Sequence, residues 1–323
     1  MTDARTGTAA HPRLLSFAIG ALAAVVGLLP WLVRGGTMPL QNLWATRTMP
    51  DDMPFVLLPI SQYYAIELFS VLLLGGVFAG IALRILRRHR ALTAWAAALG
   101  VGLVHLVAVV QSFTVLAAGL GLDYGGGARA LLYFAGMLGG GIAGMLLAQL
   151  ALWMTTQASI GVVSLGVALA AVPFAVWIRE WVIAVTSEVT PPMFLPDLLR
   201  WLPAVTVGAA LVWCGVRPAW RLIAWAASLL ALWVVPGLFT AIQVGLGMRV
   251  LQGDVAEMAA AGAQIFPVIL AESWMPALVA LMIAAIGTTV RAVVERERTS
   301  REDQDANGAA SEADGDRQPA LES

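Results

Sequence analysis

The chain has 323 residues, 59% of them hydrophobic and only 12% charged, with a mean hydropathy of +0.82. Soluble domains carry about 25% charged residues, so a large soluble core is excluded. The net charge is −1, and all 19 basic residues are arginine, which leaves no basic field to displace counterions from nucleic acid.

Apolar runs of about 20 residues match the thickness of a bilayer core. Eight of them define an all-α polytopic membrane protein: 14–33, 64–83, 92–112, 130–152, 160–178, 201–215, 222–241 and 265–286. Residues 1–13 form an amino-terminal segment, 14–290 the transmembrane domain, and 291–323 a polar tail whose first few residues extend the last helix and whose remainder is read as solvated and disordered. The first run is too long for a signal peptide, and no small-residue cleavage site precedes Arg34, so it is read as an anchor. Arginine abundance sets the orientation. Placing both termini in the cytoplasm puts the cluster Arg84, Arg87, Arg88 and Arg90 inside, with Arg217, Arg221 and Arg291, and leaves Arg34, Arg47, Arg129, Arg179, Arg200 and Arg249 outside. The arginine-only, Ala- and Gly-rich composition points to a bacterial coding sequence, and so to a bacterial plasma membrane.

Beyond the first span, residues 35–61 hold Met38-Pro39, Met49-Pro50 and Met53-Pro54. Thioethers select Cu(I), but no outer His or Cys accompanies them, so a rigid cap over the outer mouth is the competing reading. Residues 190–197 form a second Pro-rich loop. Glu67, at the start of span two, is read as interfacial, solvated with Gln62, Tyr63 and Tyr64. His105 lies near the middle of span three, on one face with Gly102 and Ser112. It is either a member of a proton relay or a neutral ring bonded to a helix carbonyl.

Glycine stripes mark expected close helix contacts. Gly76 and Gly80 form one in span two; Gly136, Gly140 and Gly144 form another in span four, which is then central or a dimer face. On this reading Gly140→Leu disrupts packing more than Gly20→Leu. Residues 74–83 match residues 138–147 at six of ten positions, and 201–205 resembles 274–278, which points to a helical hairpin repeated four times.

Residues 247–264 have the pattern of a helix lying at the outer interface. In the last span Glu272 falls roughly 10 Å below the outer surface at about 1.5 Å per residue. Pro276, four residues on, cannot donate to its carbonyl, so Glu272, Ser273 and a free carbonyl gather at an expected kink. Such interrupted helices line transporter sites; a structural carboxyl beside a packing kink is the bland alternative.

The lone Cys214 cannot make an internal disulfide or a multi-cysteine zinc site, and one intramembrane His cannot give bis-His haem, so no cofactor or metal is expected. Three functions compete. One is a permease-like transporter with Glu272, His105, Glu67 and Ser273 along its pathway. The second is a non-catalytic membrane subunit or homo-oligomer. The third is a lipid-modifying enzyme using Glu67, Glu272 and the outer residues Arg34, Arg179 and Arg200.

Overall fold

The computed structural model describes residues 7–125, 127–186, 194–247 and 254–315. Nine helices are present there: α1 (Gly7–Val33), α2 (Ala65–Leu86), α3 (Ala94–Gly119), α4 (Ala128–Thr156), α5 (Ile160–Thr186), α6 (Leu195–Cys214), α7 (Arg221–Gly247), α8 (Val255–Glu272) and α9 (Trp274–Gly315). Each contains a stretch long and apolar enough to cross a membrane. No strand forms among the described residues, only an isolated bridge between Thr37 and Phe55.

Nine helices replace the expected eight because the run 265–286 is broken at Ser273. Its N–H and hydroxyl both turn back to the Ile269 carbonyl, at 2.9 and 2.7 Å. Pro276 does not kink a continuous helix; it falls in the first turn of α9, where a missing N–H costs nothing. The segment read as an interfacial helix is the first part of α8, packed along α7; its residues 248–253 lie outside the described residues. Hydropathy measures length and polarity, and a one-residue break alters neither.

Glycines set the register. A Cβ on Gly20 would collide with the Ala97 backbone, and one on Gly100 with that of Phe17, so α1 and α3 lie side by side. Gly27 meets Val71 and Gly75, joining α1 to α2. Gly76 meets Ala148, Gly80 meets Leu152 and Thr155, and Gly144 meets Leu72, so α2 and α4 run parallel. In the other half Gly208 faces Ala280 and Ile283 while Gly287 faces Val212, so α6 and α9 are parallel too. Gly161 seats α5 on Ala224 of α7, and Ser164 Oγ donates to the Ala210 carbonyl of α6 at 3.1 Å.

The bundle is thus two four-helix units of like connectivity. In each, the first helix packs on the third and the second on the fourth: α1 on α3 and α2 on α4, then α5 on α7 and α6 on α9. The repeating relation spans four helices, where the sequence pattern pointed to two. Helix α8 has no counterpart. It runs antiparallel to α7, with Gly245 against Met258, Gly262 against Ala241, and Trp233 Nε1 donating to the Leu270 carbonyl at 2.7 Å. Helices α8 and α9 therefore descend in the same sense. Helix α5 joins the units by packing on α1, α2 and α4.

Arginines close one end of the bundle. Arg84 donates to the Gln157 carbonyl and lies 5.3 Å from the Trp213 ring, Arg221 donates to Cys214 at 2.5 Å, and Arg291 to Trp213 at 3.4 Å. Their targets are carbonyls at helix carboxyl ends, which lack partners within the helix. Beyond this end α9 continues as helix to Gly315, well past the few residues by which the sequence pattern extends it. Good helix formers and an Arg291–Glu295 pair at 2.8 Å favour it.

Two glycines assigned to packing do not pack. A Cβ on Gly136 or Gly140 would meet nothing within 4 Å, so that part of the stripe faces away from the protein. The expected order of substitutions reverses. Gly20→Leu, directed at backbone, should lower thermal stability in detergent by about 1–3 kcal/mol, and Gly140→Leu should leave it nearly unchanged. Equal losses would contradict the packing of α1 on α3.

Candidate functional site

At the end opposite the arginine caps, α1 stops at Val33 and the chain turns through Gly35 and Gly36, whose φ values of 108° and 60° are strained for a residue with a Cβ. The next segment folds back as a cap. Val56 donates to the Gly36 carbonyl at 2.7 Å, Trp31 Nε1 to the Val56 carbonyl at 2.9 Å, Leu57 to Gln111 Oε1 at 2.9 Å, and Leu58 to Ser112 Oγ at 3.0 Å. Met38, Met53, Val56, Leu58 and Ile60 are buried in this core, while Met49 is exposed. Met38 and Met53 belong to one packed core, and Met49 and Met53 line one shallow pocket with Trp44 and Arg47.

Beneath the cap lies a cluster of four charges. Helix α5 continues two turns past Ile178, where the sequence reading ended the span, because the apolar run resumes after Arg179 and Glu180. Trp177 Nε1 donates to the Gly27 carbonyl at 3.0 Å and packs edge-on to Phe78 and Trp181. That anchorage turns Glu180 inward. Arg34 Nη1 donates to Glu180 Oε2 at 3.1 Å, and Arg179 Nη2 to Glu180 Oε1 at 3.1 Å. Arg179 Nη2 also donates to Glu67 Oε1. The residues come from α1's end, α2 and α5, so the ion pairs tie the two units together.

The cluster is neutral but polarised. The glutamate side chains are 5% and 10% exposed, those of Arg34 and Arg179 32% and 40%. Carboxylates sit inside and guanidiniums reach outward, as expected for long cationic side chains near a boundary. Among the described residues, Glu67 Oε2, Gln62 Nε2 and Arg179 Nε are buried without a hydrogen-bond partner. Around it, Gln41 donates to Pro39 and Ile60, both at 2.7 Å, and accepts from Tyr133; Gln243 of α7 donates to the Tyr63 carbonyl at 3.2 Å.

Other expected site residues lie elsewhere. Glu67 belongs to the cluster and is buried, not solvated at the interface. Glu272 ends α8, is exposed and makes no ion pair among the described residues; Ser273 forms the break beside it. His105 is fully buried against Gly75, and among the described residues neither ring nitrogen is hydrogen-bonded. It sits on α3, which packs on α1, α2 and α4, whereas Glu272 sits where α8 leaves α7. The structure does not bring them together, and no direct relay joins them. Arg179 meets Glu67 and Arg34 meets Glu180 in the same cluster, but Arg200 instead stacks on Trp201 at 5.4 Å. Glu180 was missed. Its signal was a charged pair, Arg179-Glu180, flanked by apolar residues on both sides. No group of three or more His, Cys, Asp or Glu placed to hold a metal occurs among the described residues.

No protein-family model, curated protein or solved structure matches this chain. Fold and helix composition define the class: an all-helical, multi-pass membrane protein.

Removing one partner from a buried ion pair strands the others, at a cost of about 3–5 kcal/mol. Here the partly exposed arginines place Glu180→Ala at the lower end of that range. Glu272→Ala should change stability by no more than about 0.5 kcal/mol. Denaturation in detergent tests the pair; a larger loss at Glu272 would reassign the structural role.

Proposed function

We propose that this is a permease-type protein of a bacterial plasma membrane, in which two four-helix units move against each other and the Arg34–Glu180–Arg179–Glu67 cluster clasps their outer rim. The observation that carries the reading is the cluster itself. Four charges drawn into the junction of two units are expensive in a bilayer. Hydrophobic residues would hold a static junction at lower cost, whereas ion pairs can break and re-form between two states. Repeats meeting around a polar site are a recurring transporter plan.

Eight traverses follow, α8 and α9 forming one interrupted descent. The arginine-capped end is cytoplasmic, the cap segment outside, and both termini inside, in keeping with the bias of arginine. Cysteines replacing Asp51 and Arg298, one at a time on a Cys214→Ser background, test this on whole cells. The impermeant thiol reagent should label position 51 and spare 298.

The clasp is tested at Leu74, which is buried on α2 in the core shared with Ala170 of α5. In Leu74→Cys, Cys214→Ser protein, a small impermeant thiol reagent added outside should react slowly. Adding Glu180→Gln should speed the reaction about tenfold, the effect of weakening closure by about 1.4 kcal/mol. A position unreactive in both backgrounds would identify a static junction and sink the transport reading.

A non-catalytic membrane subunit is the second reading. The observation favouring it is the sparse internal packing of α8 and α9, with only 6% and 11% of their apolar windows buried, against 67% for α2.

A further inference from the structure

Arg34 has two sides. One guanidinium nitrogen holds Glu180 in the clasp; the side chain also lines an open cleft of about 210 Å³ in the cap, with Trp31, Thr37, Met38, Leu40 and Tyr64. A guanidinium carries five N–H donors in a fork suited to oxyanions. Among the described residues Arg34 spends donors on Glu180 alone. Gly35 and Gly36 turn the chain immediately after it, leaving the arginine at the lip. Thr37 and Tyr64, which carry hydroxyl groups, and the exposed Leu40 line the same space. Pro50 also lines the cleft and is followed by the exposed Asp51 and Asp52, which disfavour a doubly charged anion there.

We infer that this cleft binds a singly charged oxyanion, a carboxylate or a phosphodiester, on Arg34, and that the bound anion competes with Glu180 and so loosens the clasp. The inference rests on the clasp reading and supplies its ligand class. Its physical content is a sign. Glu180 and the ligand offer like charge to one guanidinium, so each weakens the other's hold. Removing the Glu180 charge must then strengthen ligand binding, whereas a residue that merely supported the cleft would weaken binding when altered. The two sources of such an anion are a soluble carboxylate and the head group of an outer-leaflet lipid.

The test uses the full chain purified in neutral detergent free of anionic lipid, at fixed ionic strength. Sodium butyrate and phosphatidylglycerol are the probes and sodium chloride the control. The readout is the thermal midpoint against probe concentration. At least one probe should raise the midpoint saturably. Saturation by butyrate alone assigns a soluble carboxylate; saturation by phosphatidylglycerol alone assigns a head group; saturation by both assigns the shared chemistry. Arg34→Gln should abolish the effect, and Glu180→Gln should lower the half-saturating concentration about tenfold, from the loss of a like charge within a few ångströms. Thr37→Trp, at an exposed position outside the ion pairs, should block the cleft and abolish saturation even if Glu180→Gln does not fold. No saturable shift with either probe, undiminished binding in Arg34→Gln or Thr37→Trp, or weaker binding in folded Glu180→Gln would overturn the inference. The labelling of Leu74→Cys needs no added anion, so loss of this ligand site leaves the clasp separately testable.

Discussion

A hydrocarbon solvent offers no hydrogen bonds, and that constraint orders this molecule. Each backbone must satisfy itself as helix, and helix ends and charged side chains must find partners in the protein or at the boundary. At one end Arg84, Arg221 and Arg291 meet that need by donating to exposed helix carbonyls. At the other, Arg34, Arg179, Glu67 and Glu180 meet it among themselves. Between the two, few polar side chains occur, and most turn back on their own helix, as Ser70 does to Ile66 and Thr155 to Ala151.

The same solvent removes the usual drive for helix association, because lipid is as apolar as leucine. What remains is close contact, and glycine permits it. Backbone touches backbone at Gly20, Gly27, Gly76 and Gly100, and these contacts decide which helices are neighbours. They link alternate helices more extensively than most sequential ones, which builds two similar units and leaves α5 to join them. The junction between the units is made mainly by α5, with the four charges at one end, Phe69 of α2 stacked on Phe239 of α7, and Gln243 of α7 donating to the Tyr63 carbonyl.

The cluster is best understood by its polarity and its unfinished bonds. Glutamates inside and arginines outside present a neutral site with a positive outer face. Among the described residues, Glu67 Oε2 and Gln62 Nε2 are buried without a hydrogen bond to the protein. His105 is a separate case: its ring is enclosed by α1, α2 and α3 and has no charged neighbour among the groups of the clasp.

Sequence alone determined the solvent, the helical class and most helix positions, because hydropathy over 20 residues is a local property and the bilayer sets its length. It also singled out Glu67, Arg34 and Arg179, since an ionisable group near or inside an apolar run is conspicuous by cost. Only tertiary structure decided which charges meet. Glu67 and Arg179 are 112 residues apart and Arg34 and Glu180 146 apart, separations across which no periodicity carries information. Tertiary structure also decided which glycines matter. A stripe at spacing four records that one face is small, but not what faces it: Gly144 meets Leu72, while Gly136 and Gly140 on the same stripe meet nothing. The break at Ser273 was hidden for a related reason. A proline four residues after a glutamate fits a kinked helix or the first turn of a new one, and packing of α8 on α7 and of α9 on α6 selects the second.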